Sequence, residues 1–328
     1  MTILVTGSAG HLGEAILRTL RARGSTVHGV DLKKSEFTDQ VGSITDPGFV
    51  RAAMARVTAV IHTATLHKPH VATHSRQDFI DTNVTGTLNL LEAAAEAGVK
   101  SFVFTSTTSA FGSQLRPEAG SAAVWVTEDL PPVPKNIYGT TKLMAENLCE
   151  LFFREHGLPA IVLRTSRFFP EEDDDPSARA SFAAENAQAN ELLYRRLDIA
   201  DAVSAHLLAV ERAAHIGFAR YIVSATSPFT PSHLAALAED AARVVHTLYP
   251  DCARLYAARD WRLFPTIDRV YVNERARREL GWRPAFDFAH VLSSLRGASD
   301  FRSALARQVG SKGYHDTVFD RGPYPVVS

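Results

Sequence analysis

Short apolar runs alternate with longer helical patterns along much of the chain. The apolar runs are continuous rather than alternating with polar residues, which is typical of strands buried on both faces of a sheet. The segments between them carry alanine- and leucine-rich faces, as amphipathic helices do. This alternation predicts an α/β fold, a Rossmann-type doubly wound parallel sheet covered by helices on both sides. The predicted strands are Ile3–Val5, Thr26–Val30, Val57–His62, Ser101–Thr105, Ala160–Leu163 and Tyr221–Ser224.

The pattern changes near Pro231, where helical segments follow one another. These segments predict a smaller C-terminal lobe beside the sheet. An earlier helical stretch, Ala178–Arg195, is expected to cover the candidate ligand-binding site that is described below. Residues 310–328 show no periodicity. The predicted helices of the C-terminal lobe are Ser232–Leu248, Asn273–Leu280 and Phe288–Leu295.

Composition narrows the class of protein. The chain has 328 residues, 45% hydrophobic and 22% charged, as ordinary globular proteins do. A formal net charge of -1 gives no reason to expect a nucleic acid or an anionic membrane surface as partner. The first strand begins directly after Met1, and no apolar run approaches the roughly 20 residues of a membrane span. With only Cys149 and Cys252 present, we expect a cytoplasmic protein without a disulfide framework.

A glycine-rich turn follows the first predicted strand. The sequence TILVTGSAGHLG places Gly7, Gly10 and Gly13 between that strand and an amphipathic helix. This spacing is typical of a turn that holds a pyrophosphate at a helix N-terminus, although glycines also form purely structural turns. Asp31 ends the second predicted strand, where a carboxylate would hold a ribose hydroxyl and repel a 2′-phosphate. The pattern therefore predicts NAD, rather than NADP, as cofactor.

Two further segments suggest proton transfer. A run of hydroxyl residues follows the strand that begins at Ser101, and Tyr138 precedes Lys142 by four positions in a helical pattern. Residues four apart share a helix face, so we expect the Lys142 ammonium to favour the phenolate form of Tyr138. A hydroxyl from the strand would donate a hydrogen bond to a substrate carbonyl. Both features also have structural explanations, since hydroxyls satisfy turns and Tyr–Lys pairs arise by chance.

His67, His70 and His74 lie close together after the third predicted strand. Imidazole is a common metal ligand, but this spacing matches no standard closed site and no cysteine accompanies it. We therefore predict no metal. The segment is better interpreted as a polar loop at the carboxyl end of a strand, where α/β sheets bind their ligands.

Four motifs together resemble the extended short-chain dehydrogenase/reductases, in particular the NAD-dependent epimerase/dehydratase family. Thr6–Gly13 matches TGxxGxxG, Asn83–Thr87 matches NVxGT, Thr105–Gly112 matches the hydroxyl-rich active-site strand, and Tyr138–Lys142 matches YxxxK. They occur in the family's order and at its separations, and a looser match continues through Arg196–Val210.

The resemblance implies roles for individual residues. Tyr138 resembles the catalytic acid/base, Lys142 the residue that holds the nicotinamide ribose, and Thr107 the catalytic hydroxyl. Ser106 and Thr108 stand beside Thr107 and would take its role if the register differed by one. The cofactor-binding residues implied are Gly7, Gly10, His11, Leu12, Gly13, Asp31, Ser43, Ile44, Thr63, Ala64, Asn83, Tyr138 and Lys142, with Asn83 expected to be structural; the substrate-binding residues expected are His67, Lys68, Thr108 and Arg167.

The sequence departs from the family pattern at three places. Ser43 replaces an acid near the adenine, which leaves Ile44 and the backbone to bind it, and Phe111 replaces a tyrosine after the hydroxyl strand. Arg167, in the segment RTSRFFPEEDDD, stands where many nucleotide-sugar epimerases have a substrate-contacting asparagine. Arg167 either clamps a carboxylate or phosphate of the substrate or pairs within the chain with Glu171, Glu172 or Asp173.

The resemblance implies an NAD-dependent oxidoreductase or epimerase that acts on a hydroxyl group of a sugar or sugar-nucleotide-like substrate. A dehydratase is disfavoured, because Thr107 and Thr108 occupy the places of its usual Asp-Glu pair. The alternatives are a net dehydrogenase or carbonyl reductase for a small anionic hydroxy compound, and a non-catalytic NAD-sensing protein. We expect residues 1–166 and 194–226 to form the NAD-binding domain, residues 167–193 and 227–328 the substrate-binding lobe, and the chain to form a homodimer.

Overall fold

The computed structural model describes residues 1–171 and 176–313, apart from the side chains of residues 176–178. Most of its strands form one parallel seven-stranded sheet, and two short strands pair separately. The strands are β1 (Thr2–Thr6), β2 (Thr26–Asp31), β3 (Gln40–Val41), β4 (Ala59–His62), β5 (Ser101–Thr107), β6 (Val124–Val126), β7 (Ala160–Thr165), β8 (Phe218–Val223) and β9 (Arg269–Tyr271).

Helices cover both faces of the sheet and build the C-terminal lobe. They are α1 (His11–Ala22), α2 (Pro47–Ala53), α3 (Arg76–Phe79), α4 (Gly86–Glu96), α5 (Ile137–His156), α6 (Pro176–Ser181), α7 (Ala184–Glu191), α8 (Ile199–Ile216), α9 (Leu234–Leu248), α10 (Cys252–Ala257), α11 (Glu274–Glu279), α12 (Phe288–Arg296) and α13 (Ala304–Val309). In the described ranges, no helix is long and apolar enough to cross a membrane.

The sheet has the order β3-β2-β1-β4-β5-β7-β8. Its neighbouring strands pair in parallel, so their carboxyl ends lie along one edge. The strand order reverses between β1 and β4, and ligands of open α/β sheets bind at such a switch point. The predicted Rossmann-type architecture is confirmed, and the glycine turn, the loop after β4 and the hydroxyls of β5 all lie at this edge.

Two hydrophobic clusters fill the two faces of the sheet, and a third lies in the C-terminal lobe. Trp282 is fully buried in the cluster that contains α1 and α8, although it follows α11 in the chain. Tyr194 belongs to the third cluster. The chain before β8 thus contributes Tyr194 to the core of the C-terminal lobe, and the chain after β8 contributes Trp282 to a core of the sheet. These exchanges hold the C-terminal lobe against the sheet.

One helix differs from the sequence prediction. The expected helix over Ala178–Arg195 is divided into α6 and α7. Elsewhere, a π-helical turn over Ile80–Thr85 joins α3 to α4. Such turns are common at functional sites, and this one contains Asn83.

Candidate active site

The glycine turn joins β1 to α1 and requires glycine at two positions. Gly7 has a φ of +74°, and a Cβ there would lie 2.7 Å from the main-chain nitrogen of Ala64. A Cβ on Gly13 would lie 2.0 Å from the carbonyl oxygen of Gly7. At Gly10 the nearest atom would be 3.1 Å away, which is tight but less severe. Because these glycines carry no side chain, the turn packs closely against its neighbours and the N-terminus of α1 stays open to a ligand, as a dinucleotide pyrophosphate needs.

A cavity of about 310 Å³ opens in front of this turn and is called the cofactor cavity below. It contains most of the residues predicted to bind the cofactor, from the turn, the end of β2 and the loop after β4. Those residues are Gly7, Gly10, His11, Leu12, Gly13, Asp31, Ser43, Ile44, Thr63 and Ala64. The donor set and the glycine cradle fit a dinucleotide.

Asn83 lies behind the wall of this cavity. Its Oδ1 accepts hydrogen bonds from the Leu66 main-chain nitrogen and the Thr65 hydroxyl, both at 2.8 Å. Its Nδ2 donates to the Leu66 carbonyl oxygen at 3.1 Å and to the Thr141 hydroxyl at 3.0 Å. Asn83 thus fastens the loop after β4 to α5, as expected of a structural residue.

A second cavity of about 230 Å³ adjoins the first and is called the substrate cavity below. The two cavities share wall residues, so a ligand in one borders a ligand in the other. The shared residues are Thr65, His67, Thr105, Phe168 and Phe169. Every predicted catalytic and substrate residue lines the substrate cavity, namely Thr107, Tyr138, Lys142, His67, Lys68, Thr108 and Arg167.

Tyr138 and Thr107 meet on the wall of the substrate cavity. A side-chain hydrogen bond from Thr107 lowers the pKa of the Tyr138 phenol, but burial outweighs it and raises that pKa to about 12. The Thr107 hydroxyl also accepts from the Ser109 main-chain nitrogen at 3.1 Å, which fixes its orientation. The expectation of a phenol with a lowered pKa is therefore wrong for the protein's own groups.

The position of Lys142 explains why this residue does not offset the effect of burial on the pKa of Tyr138. Its Nζ lies 4.1 Å from the centroid of the Phe104 ring, and the side chain is 2% exposed. Burial lowers the pKa of Lys142 to about 7, so near neutral pH the group is charged only part of the time. An ammonium that is itself desolvated stabilises a neighbouring phenolate less than sequence spacing suggests.

Glu146 opposes this loss of charge and was not expected from the sequence. Its negative charge raises the pKa of Lys142, one helical turn earlier. Glu146 is fully buried and accepts hydrogen bonds from the Ser106 hydroxyl at 2.5 Å and from Arg164 Nη2 at 2.7 Å. Arg220 Nε lies 3.3 Å from the same carboxylate. The only local signal is an acid at helical spacing from Lys142 on a buried face.

Histidines line the boundary between the two cavities. The rings of His67 and Tyr138 lie 6.1 Å apart, and burial lowers the pKa of His67 to about 3, so this imidazole is neutral at physiological pH. His11 stacks on Phe168 at 6.0 Å between ring centroids. Within the described ranges, no three potential metal ligands form a cluster.

Three arginines line the substrate cavity: Arg167, Arg195 and Arg269. Arg167 Nη2 donates to the main-chain carbonyl oxygen of Glu171 at 3.0 Å, so this side chain both faces the cavity and supports the loop after β7. Arg195 pairs with Glu191 at 2.7 Å. The other acids named as partners of Arg167, Glu172 and Asp173, lie outside the described residues. Arg195 and Arg269 were missed because no local pattern places them at the site.

A parallel sheet with a dinucleotide cradle and a Tyr–Lys–Thr wall defines a short-chain dehydrogenase/reductase. Residues 3–218 match the model of the NAD-dependent epimerase/dehydratase family, and the chain belongs to this family. The expectation of an NAD-dependent enzyme is thereby confirmed.

Individual relatives agree with this assignment. The chain is 30% identical over 191 residues to UDP-glucose 4-epimerase of Azospirillum brasilense, covering 55% of this chain and 52% of that protein. It is 33% identical over 155 residues to sterol demethylase protein B of Methylococcus capsulatus, covering 45% of each. The match thus spans about half the length of these curated relatives. Over 94% of this chain and 99% of the other, the structure resembles a short-chain dehydrogenase/reductase superfamily protein from Agrobacterium tumefaciens with bound NAD, with 28% identity and a TM-score of 0.63.

Proposed function

We propose that this protein is an NAD-dependent oxidoreductase or epimerase that acts on a hydroxyl group of a sugar or sugar-nucleotide-like substrate. The observation that carries the proposal is the hydrogen-bonded pair of Tyr138 and Thr107 on the wall of a cavity that adjoins the cofactor cavity. A protein that only senses NAD needs the cofactor cavity but has no use for this pair. The similarity to UDP-glucose 4-epimerases supports a sugar-like substrate.

Each residue has a separate task. Bound NAD supplies a hydride acceptor beside the substrate carbon. Tyr138, in its phenolate form, accepts the proton of the substrate hydroxyl, and Thr107 stabilises the charge that develops on that oxygen. Lys142 would hold the nicotinamide ribose, and its positive charge, supported by Glu146, opposes the effect of burial and favours that phenolate. Gly7, Gly10, His11, Leu12 and Gly13 hold the pyrophosphate, and Asp31, Ser43 and Ile44 hold the adenosine half.

Replacement of Tyr138 by phenylalanine tests the assignment. Tyr138→Phe is expected to lower kcat by about a thousandfold, because the proton acceptor is lost, while the Kd for NADH stays near that of the wild type. Full turnover in this variant would overturn the role of Tyr138. If the wild type neither converts a sugar, sugar-nucleotide or hydroxy-acid panel nor reduces NAD, the sensing alternative is favoured instead.

A specific observation favours net oxidation of a small anionic hydroxy compound as a second candidate. The substrate cavity holds about 230 Å³, which is small for a sugar nucleotide, and Lys68 and three arginines line it. Arginine binds carboxylates by paired hydrogen bonds. Accumulation of NADH with a hydroxy or uronic acid would support this candidate, whereas interconversion of UDP-sugars without net NADH would support the epimerase.

We also propose that the two regions 1–166 with 194–226 and 167–193 with 227–328 act as cofactor and substrate units, and that the chain forms a cytoplasmic homodimer through α4 and α5. These helices pack against each other, and Met144 on α5 is 40% exposed. Light scattering is expected to give twice the mass of the chain, and Met144→Lys is expected to yield monomers. A monomeric wild type would contradict the dimer.

A further inference from the structure

The last described residues, 310–313, return from α13 to the cofactor cavity and are called the C-terminal strap below. Lys312 and Gly313 line this cavity together with the glycine turn. Two side-chain contacts hold the strap in place. The Lys312 ammonium forms an ion pair with the Glu14 carboxylate, and the Ser311 hydroxyl donates to Glu171 Oε1 at 2.6 Å. The strap therefore connects the start of α1 with the loop after β7.

Glu14 makes this contact informative. It lies in the first turn of α1, directly after the glycine turn, and its side chain is only 4% exposed. The helix dipole favours a carboxylate there, but the same negative charge repels a pyrophosphate that binds to the N-terminus of the helix. A dinucleotide site at this turn thus needs positive charge close to Glu14.

Two cations reach Glu14 from different directions. Arg18 Nε lies 2.7 Å from Glu14 Oε1, and its guanidinium is held over the Phe37 ring at 4.6 Å from the centroid. Lys312 approaches from the strap and also lines the cofactor cavity. Of these two cations, Lys312 is therefore the one that both pairs with the buried Glu14 carboxylate and lines the cofactor cavity.

The field of Lys312 reaches the helix start itself. Its positive charge contributes to lowering the pKa of His11, the residue that follows Gly10 and lines the cofactor cavity. A lysine side chain carries a compact charge at the end of a flexible stem, so its ammonium can contact a carboxylate and a phosphate at the same time.

We propose that Lys312 is a cofactor-binding residue, whose ammonium contributes positive charge to the pyrophosphate of NAD at the glycine turn. The proposal rests on the assignment of the glycine turn as the pyrophosphate site. It adds a residue from the far end of the chain, in the C-terminal strap, to a set that otherwise comes from the sheet domain.

Binding of cofactor fragments to the full chain tests this role. ADP-ribose contains the pyrophosphate and the second ribose, and adenosine contains neither, so calorimetry with both separates the contribution of these groups from that of the adenosine half. Lys312→Met keeps most of the stem and removes the charge. We expect it to raise the Kd for ADP-ribose about tenfold, as loss of one charge-assisted contact does, and to leave the Kd for adenosine unchanged. Lys100→Met, at an exposed lysine outside both cavities, is the matched control.

A second background separates a direct effect from one that acts through Glu14. In Glu14→Gln the carboxylate is absent, and Lys312→Met is still expected to weaken ADP-ribose binding. The proposal is overturned if Lys312→Met binds ADP-ribose like the wild type, if adenosine binding falls equally, or if the effect disappears in the Glu14→Gln background. A wild type that binds neither NADH nor ADP-ribose overturns the assignment of the glycine turn as well.

Discussion

The Asp31 carboxylate and the glycine turn are joined by a direct hydrogen bond: Asp31 Oδ2 accepts from the Ala9 main-chain nitrogen at 3.0 Å. Asp31 Oδ1 accepts from the Lys33 nitrogen at 2.8 Å. The acid at the end of β2 is thus held over the turn, where both the adenosine ribose and the pyrophosphate are expected. Its position is fixed by one donor from the glycine turn and one from the loop after β2.

Cofactor preference is expected to depend on this carboxylate. Asp31→Ser removes the negative charge that repels a 2′-phosphate and one acceptor for the ribose hydroxyls, so the ratio of the Kd for NADPH to that for NADH should fall roughly tenfold or more. Fluorescence titration with both cofactors measures it. Asp46→Ser is the control, since Asp46 caps α2 and serine is an equally good cap. An unchanged ratio would contradict the role of Asp31.

The glycine turn is expected not to tolerate alanine at its third glycine. In Gly13→Ala the new Cβ would lie 2.0 Å from the Gly7 carbonyl oxygen, so the turn must open. NADH binding should be lost and the free energy of unfolding should fall by about 3 kcal/mol, as for other overpacked positions. Gly297→Ala, where the nearest atom would be 3.7 Å away, should keep both properties. Calorimetry and urea unfolding would reveal any disagreement.

The buried ion pair beneath Lys142 is expected to be important for stability. Glu146→Gln leaves the buried Arg164 guanidinium without its counter-charge, which should lower the free energy of unfolding by about 3 kcal/mol. Glu150→Gln is the matched control: Glu150 lies one turn later and pairs with Arg220 at 2.8 Å, but it is 37% exposed, so its loss should cost below about 1 kcal/mol. Equal losses in urea unfolding would argue against the buried pair.

Stability is expected to fall in mild acid because of a buried histidine behind the site. His206 Nδ1 donates to the Ala202 carbonyl oxygen and Nε2 accepts from the Thr105 hydroxyl, both at 2.8 Å. Burial lowers the pKa of His206 to about 4. Since this imidazole binds its proton more weakly when folded, its contribution is present above pH 6.5 and is lost as the pH falls towards 4.

For His206 alone the loss amounts to about 2 kcal/mol at pH 5. Urea unfolding at pH 7 and pH 5 should show a loss in His206→Gln that is smaller than in the wild type by about this amount. His246→Gln, at an exposed position on α9, should lose as much as the wild type. Identical losses in the wild type and His206→Gln would show that His206 does not titrate as its burial requires.

The strands of the main sheet that have continuous apolar runs were predicted close to their observed bounds, because burial on both faces leaves a strong local pattern. The short strands β3, β6 and β9 were not predicted, since two or three residues carry no detectable periodicity. Contacts between distant segments were not predicted either: Asp201, in the first turn of α8, accepts from the main-chain nitrogens of Ala285 and Phe286 at 2.9 Å.

The sequence by itself determined the α/β class, the glycine turn with Asp31, and the Tyr138–Lys142 spacing, because each depends on residues close together in the chain. Only the tertiary structure decided which charges meet. It brings Lys312 to Glu14, Arg164 to Glu146, and Arg269 to the substrate cavity. It also raises the pKa of Tyr138, since burial depends on how distant segments pack and not on the spacing of residues along one helix.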